Sequence, residues 1–168
     1  MSLLTEHTHT VMIDEGQYLM YLPNAETDYI QKYIATTQKP YELDMLRDMK
    51  GRLSPGDIVL DIGANVGNHT IYLAALAEAE VHAFEPNKSL ITAIENSAEL
   101  SLSKGRVELH SVALGSHNAT GHFKELIADN LGAQSIEVGQ GELQIRPLDS
   151  MPFTAPIAMI KLDVEGME

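Results

Sequence analysis

Three short stretches of this sequence place carboxylates where an apolar run breaks off. Asp61-Ile62-Gly63-Ala64-Asn65-Val66-Gly67-Asn68 follows Ile58-Val59-Leu60. Phe84-Glu85-Pro86-Asn87 follows a second apolar run, and Asp163-Val164-Glu165 follows a third, Ile157-Ala158-Met159-Ile160-Lys161-Leu162. An apolar run of that length suits a strand buried on both faces. A glycine-bearing loop after it lets a ligand approach the backbone, and the start of a following helix offers free N–H groups. In open α/β sheets ligands lie outside the carboxyl ends of the strands, where Asp61, Glu85 and Asp163 all fall.

Two ligand classes compete for such a loop. A dinucleotide fingerprint requires G-x-G-x-x-G, so that a pyrophosphate can press on the helix start. Here those positions hold Gly63, Asn65 and Asn68, so two of the three glycines are missing. An acid two residues before Gly63 also repels a pyrophosphate, whereas it suits the ammonium of S-adenosylmethionine. Glu85 lies about 20 residues beyond the first glycine, a spacing that suits a carboxylate accepting from both ribose hydroxyls. Pro86 then terminates the strand and fixes the turn. Asn65 is equally suited to a left-handed turn conformation and to ligand contact.

Positioning these groups takes alternating strands and helices. Residues 58–62, 80–84, 107–112 and 157–163 read as strands. Residues 68–78 and 87–104 read as helices, the second with Asn87 as N-cap and Gly105 as its stop. That alternation predicts an α/β fold, a Rossmann-like parallel sheet with flanking helices. Leu73, Leu76, Leu90, Ile91 and Ile94 are read as core. Residues 1–50 form an N-terminal extension, with a short strand at 18–22 and a helix at 26–36. An amphipathic helix at 41–53 carries Leu43, Leu46, Met49 and Leu53 on one side. The ligand-binding domain covers 51–168, with an insertion of short strands and loops at 115–150.

The sequence resembles the FkbM-type methyltransferases, within the S-adenosylmethionine-dependent class with Rossmann-like folds. The resemblance runs from about Tyr41 to Glu168. It rests on residues 59–70 around the glycine loop, on Ala83-Phe84-Glu85-Pro86-Asn87, and on Val112-Ala113-Leu114-Gly115. It continues through Asn130-Leu131-Gly132, Leu148-Asp149 and residues 160–168. It implies S-adenosylmethionine as cofactor and methylation of a hydroxyl on a small acceptor, such as a sugar, glycolipid or natural product. It implies cofactor contacts at Asp61, Gly63, Asn65, Gly67, Asn68, His69, Glu85 and Pro86. Ser111 and Val112, at the end of the third strand, fall where adenine lies in this fold. Asp163, with Glu165 beside it, is expected near the reacting methyl group. Such folds continue past the last strand with further strands and helices, which this sequence lacks, so a truncated domain is expected. A non-catalytic cofactor-binding module and an NAD-dependent oxidoreductase are the alternatives.

The formal net charge of −13 and the lack of a basic cluster argue against nucleic acid as partner. With no cysteine, disulfides, Cys-ligated zinc and a Cys nucleophile are excluded. His7, His9, His82, His110, His117 and His122 show no metal spacing, so no metal is expected, and His7-Thr8-His9 is expected in a mobile tail. Asn118-Ala119-Thr120 matches a glycosylation sequon, read as chance. No signal peptide and no membrane-length apolar run is visible, so a cytoplasmic protein is expected. The unflanked strand at 157–163 is expected to drive self-association.

Overall fold

The computed structural model describes residues 6–101, 105–124, 131–132, 134–153 and 155–164. In chain order, β1 (Thr8–Ile13) and β2 (Gly16–Tyr21) are followed by α1 (Tyr29–Thr37) and α2 (Leu43–Gly51). Next come β3 (Ile58–Ile62), α3 (Asn68–Leu76), β4 (Glu80–Phe84), α4 (Lys88–Ser101) and β5 (Arg106–His110). The short strands β6 (Ala113–Leu114), β7 (Ala119–Phe123), β8 (Ile136–Val138) and β9 (Leu143–Arg146) precede β10 (Ile157–Leu162).

The central sheet runs β10-β3-β4-β5, with every pair parallel. All five residues of β3 are buried, as expected of a strand inside a parallel sheet. α3 is buried nearly all round, from Asn68 to Ala74. It lies in the same core as Val59, Val81, Leu90 and Ile94. A second core on the other face gathers Ile58, Leu60, Ile62 and Phe84 under Leu148, Met151 and Phe153. The segment after β5 folds into a separate mixed sheet, β6-β9-β7-β8. The third central strand ends at His110, so Ser111 and Val112 lie just past it.

Two expectations are corrected. His7-Thr8-His9 is not a mobile tail: β1 pairs antiparallel with β2 along its whole length, from Thr8 opposite Tyr21 to Ile13 opposite Gly16. A two-stranded hairpin is marginal by itself and needs a packing partner. That partner is α4. The Ser97 hydroxyl accepts from Tyr21 N (2.9 Å) and the Ser101 hydroxyl from Leu19 N (2.7 Å). Serines four apart share one helix face, so both meet the same strand. Val11, Tyr18, Met20 and Leu22 thereby join the main core.

The other correction concerns β10, which is not buried on both faces. Ala158, Ile160 and Leu162 are exposed, the last two at 51%. β10 is the edge of the central sheet, and among the described residues no strand pairs with its outer side. Unpaired N–H and C=O groups beside exposed apolar side chains template association. Light scattering is expected to show dimers or larger species, which Ile160→Lys should disperse. A monodisperse parent at the same concentrations would show the edge to be protected. No helix among the described residues is long and apolar enough to cross a membrane.

Candidate active site

The loop between β3 and α3 is shaped by left-handed backbone at Gly63 (φ 77), Asn65 (φ 52) and Gly67 (φ 86). Gly63 N and Ala64 N both donate to Phe84 O at 3.0 Å, tying the loop to the end of β4. A Cβ on Gly63 would lie 1.9 Å from Asp163 O, so only glycine lets the chain after β10 close against the loop. A Cβ on Gly132 would meet the Asn65 side chain at 2.1 Å.

Glu85 follows β4 and is 6% exposed. Its Oε2 accepts from Asn65 N and its Oε1 from Asn87 N, each at 2.9 Å. The carboxylate is therefore oriented by backbone alone, and each oxygen keeps a lone pair for a further donor. Burial pushes its pKa up to about 7, although the two backbone N–H groups pull the other way.

Asp61 is fully buried. The sequence reading places a ligand ammonium on this carboxylate; the ammonium found there is that of Lys161, with Nζ 3.1 Å from Oδ1. Lys161 also donates to Gly63 O (2.8 Å), and the Thr70 hydroxyl donates to Asp61 Oδ2 (2.6 Å). Burial opposes ionisation of Asp61, but Lys161, His69 and Thr70 outweigh it and hold its pKa below the ordinary value. His69, the second residue of α3, has Nε2 3.5 Å from Glu42 Oε2. Burial and the nearby Lys161 lower its pKa despite Asp61 and Glu42, which keeps the imidazole neutral at pH 7. Asn68 is spent on a reciprocal pair with the backbone of Tyr41, accepting from its N and donating to its O, both 2.9 Å.

Two cavities open on this loop. The first has apolar walls from Phe84, Val112, Leu131 and Ile136, and polar groups from Glu85 and Gln134. The second is lined by Tyr41, Glu42, Asn65, Asn68, His69 and Lys161, among others. Gly63, Gly132 and Asp163 line both. Gln134 is buried, and among the described residues its Nε2 has no hydrogen-bond partner.

Of the residues singled out by sequence, Gly63, Glu85, Pro86 and Val112 line the first cavity, Gly63, Asn65, Asn68 and His69 the second, and Asp163 both. Asp61 and Gly67 line neither. Ser111 is exposed in a neighbouring groove beside Lys88 and His122. Glu165 lies outside the described residues.

Residues 61–168 match the family described as the methyltransferase FkbM domain. The chain belongs to the FkbM methyltransferase family. No curated protein matches it. Among solved structures, the FkbM domain is similar to TYW2 of P. horikoshii in complex with MeSAdo, at 15% identity and TM-score 0.46, covering 64% of this chain and 36% of that one. It is similar to M. jannaschii TYW2 in complex with AdoMet, at 19% identity and TM-score 0.45, covering 62% and 44%. A third is the Pyrococcus abyssi tRNA (uracil-54, C5)-methyltransferase in complex with S-adenosyl-L-homocysteine, at 21% identity and TM-score 0.42, covering 62% and 24%. The chain spans less than half the length of each of these proteins.

Several residues of the FkbM domain's cavities escape a motif reading. Lys161 carries a partial signal: a lysine inside an apolar strand must find a partner, though its surroundings in the sequence do not say which. Tyr41 and Glu42 come from the segment before β3, outside the matched region. Leu131 and Gln134 come from the segment between β7 and β8, where Asn130-Leu131-Gly132 carries the family resemblance but suggests no contact of its own. Leu131 is placed by Asp28, whose Oδ2 accepts from Leu131 N (3.0 Å) while Oδ1 caps α1 at Gln31 N (2.9 Å).

Proposed function

We propose that this chain binds S-adenosylmethionine at the ends of β3 and β4 and directs methyl transfer to a hydroxyl of a small acceptor, such as a sugar, glycolipid or natural product. The observation that carries this reading is Glu85. A buried carboxylate with each oxygen already aimed by one backbone N–H is suited to accept from two vicinal hydroxyls, as on a ribose. The Gln134 amide and the apolar walls of the same cavity suit an adenine. The cofactor supplies an electrophilic methyl group on a sulfonium sulfur. Lys161, held by Asp61, fixes the Gly63 carbonyl and so the loop that faces the cofactor. Asp163, where the two cavities meet, is the proposed acceptor of the hydroxyl proton. The net charge of −13 disfavours a polyanionic acceptor.

Isothermal titration with S-adenosylhomocysteine and with NAD tests the reading. The first is expected to bind and the second not; the reverse outcome, or no binding of either to folded protein, would overturn it. Glu85→Gln should weaken S-adenosylhomocysteine by about 1–3 kcal/mol, the range for a lost charge-assisted hydrogen bond. The pH dependence has a defined sign. Ribose hydroxyls donate to the ionised carboxylate, so binding favours loss of the Glu85 proton. With its pKa at about 7, affinity should fall as the pH drops below that value and level off above it, a dependence that Glu85→Gln removes.

A further inference from the structure

The face of the central sheet opposite α3 and α4 carries a cluster for which methyl transfer has no use. β5 alternates: Val107 and Leu109 pack into the main core, which leaves Arg106, Glu108 and His110 on the other face. The parallel register sets His82 of β4 opposite Glu108, and Phe84 opposite His110. His82 Nδ1 and His110 Nε2 lie 3.0 Å apart. Glu108 Oε1 is 3.8 Å from His110 Nε2, and its Oε2 is 4.0 Å from His82 Nδ1. His82 is 7% exposed; its ring is nearly coplanar with that of His110 and meets it end to end, with Phe153 edge-on against it.

Two imidazole nitrogens at 3.0 Å need a proton or a cation between them, because facing lone pairs repel. Around a tetrahedral Zn²⁺ with Zn–N bonds of about 2.0–2.1 Å, ligand atoms stand roughly 3.3 Å apart. The separations here bracket that value. The surroundings suit a metal as well. Glu80 Oε1 lies 3.4 Å from His82 Nε2, the place of the outer carboxylate that fixes a ligand's tautomer and leaves Nδ1 with a lone pair. Arg106 is 2.9 Å from both Glu80 Oε1 and Glu108 Oε2, so one cation faces two carboxylates and Glu108 Oε1 is turned toward the histidines.

We propose that His82, His110 and Glu108 form a binding site for one divalent transition metal of the Zn²⁺ and Co²⁺ class. Two imidazoles and one carboxylate favour such ions over Mg²⁺ or Ca²⁺, which take oxygen ligands. The metal bridges β4 and β5 under Phe153. The ring of Phe84, stacked on His110 at 4.5 Å, separates it from the first cavity.

Titration of tag-free protein with Co²⁺ tests this. The expected result is a visible absorption band of a four-coordinate ion, saturating at one equivalent and abolished by Zn²⁺. Glu108→Gln and His110→Gln should each lower the affinity tenfold or more. Glu108 is half-exposed, so its variant should melt like the parent when metal-free. No band, or binding by both variants equal to the parent, would overturn the proposal and assign any residual uptake to other histidines.

Discussion

Lys161→Met is expected to lower the unfolding free energy by about 3–5 kcal/mol, the usual cost of stranding one partner of a buried ion pair. Asp61 has no exposure and the Lys161 side chain is only 9% exposed, so water cannot replace the lost ammonium. Only the Thr70 hydroxyl would remain on the carboxylate. The Gly63 carbonyl would lose its donor at the same time. Urea denaturation measures the effect. Adding Asp61→Asn should recover much of the loss, because removing both charges removes the unpaired one. An unchanged midpoint for the single variant would mean that the pair is not held in the folded protein.

Asp163→Asn is expected to reduce methyl transfer by about 10²–10⁴-fold, the span of a lost general base, while S-adenosylhomocysteine binds nearly as before. The side chain is 73% exposed and lies where the two cavities meet, with Oδ2 3.8 Å from Lys161 Nζ. A group that takes a proton as bonds change affects turnover rather than donor affinity. Transfer of labelled methyl to a panel of sugar and glycolipid acceptors, with donor titrations alongside, separates the roles. Lost affinity with normal turnover of the bound complex would make Asp163 a binding residue. If neither changes, His69 is the next candidate, being neutral and 3.5 Å from Glu42.

The part of this site that is legible in the sequence is the part that is local. Asp61 through Asn68 announces strand, turn and helix within a few residues, and Glu85 ends the next apolar run. What escapes is what comes together across the chain. Nothing near Lys161 says which acid it will meet, because the register of two parallel strands is set by everything between them. The β1–β2 hairpin escapes because its stability comes from Ser97 and Ser101, far along the chain. His82, Glu108 and His110 show no ligand spacing, since alternate residues of neighbouring strands bring them together.

Asp28 ties helix and cavity wall together across a separation of 103 residues. Closing a loop of that size costs roughly 4 kcal/mol in chain entropy. A single N–H bond does not repay that; the central sheet and the helices packed on it must hold the ends close. α1, at nine residues, is marginal without tertiary packing, and the wall at Leu131 and Gly132 likewise depends on the packed fold. The wall of the first cavity thus stands only where the rest of the fold stands, so a ligand bound there stabilises the whole fold and not the loop alone.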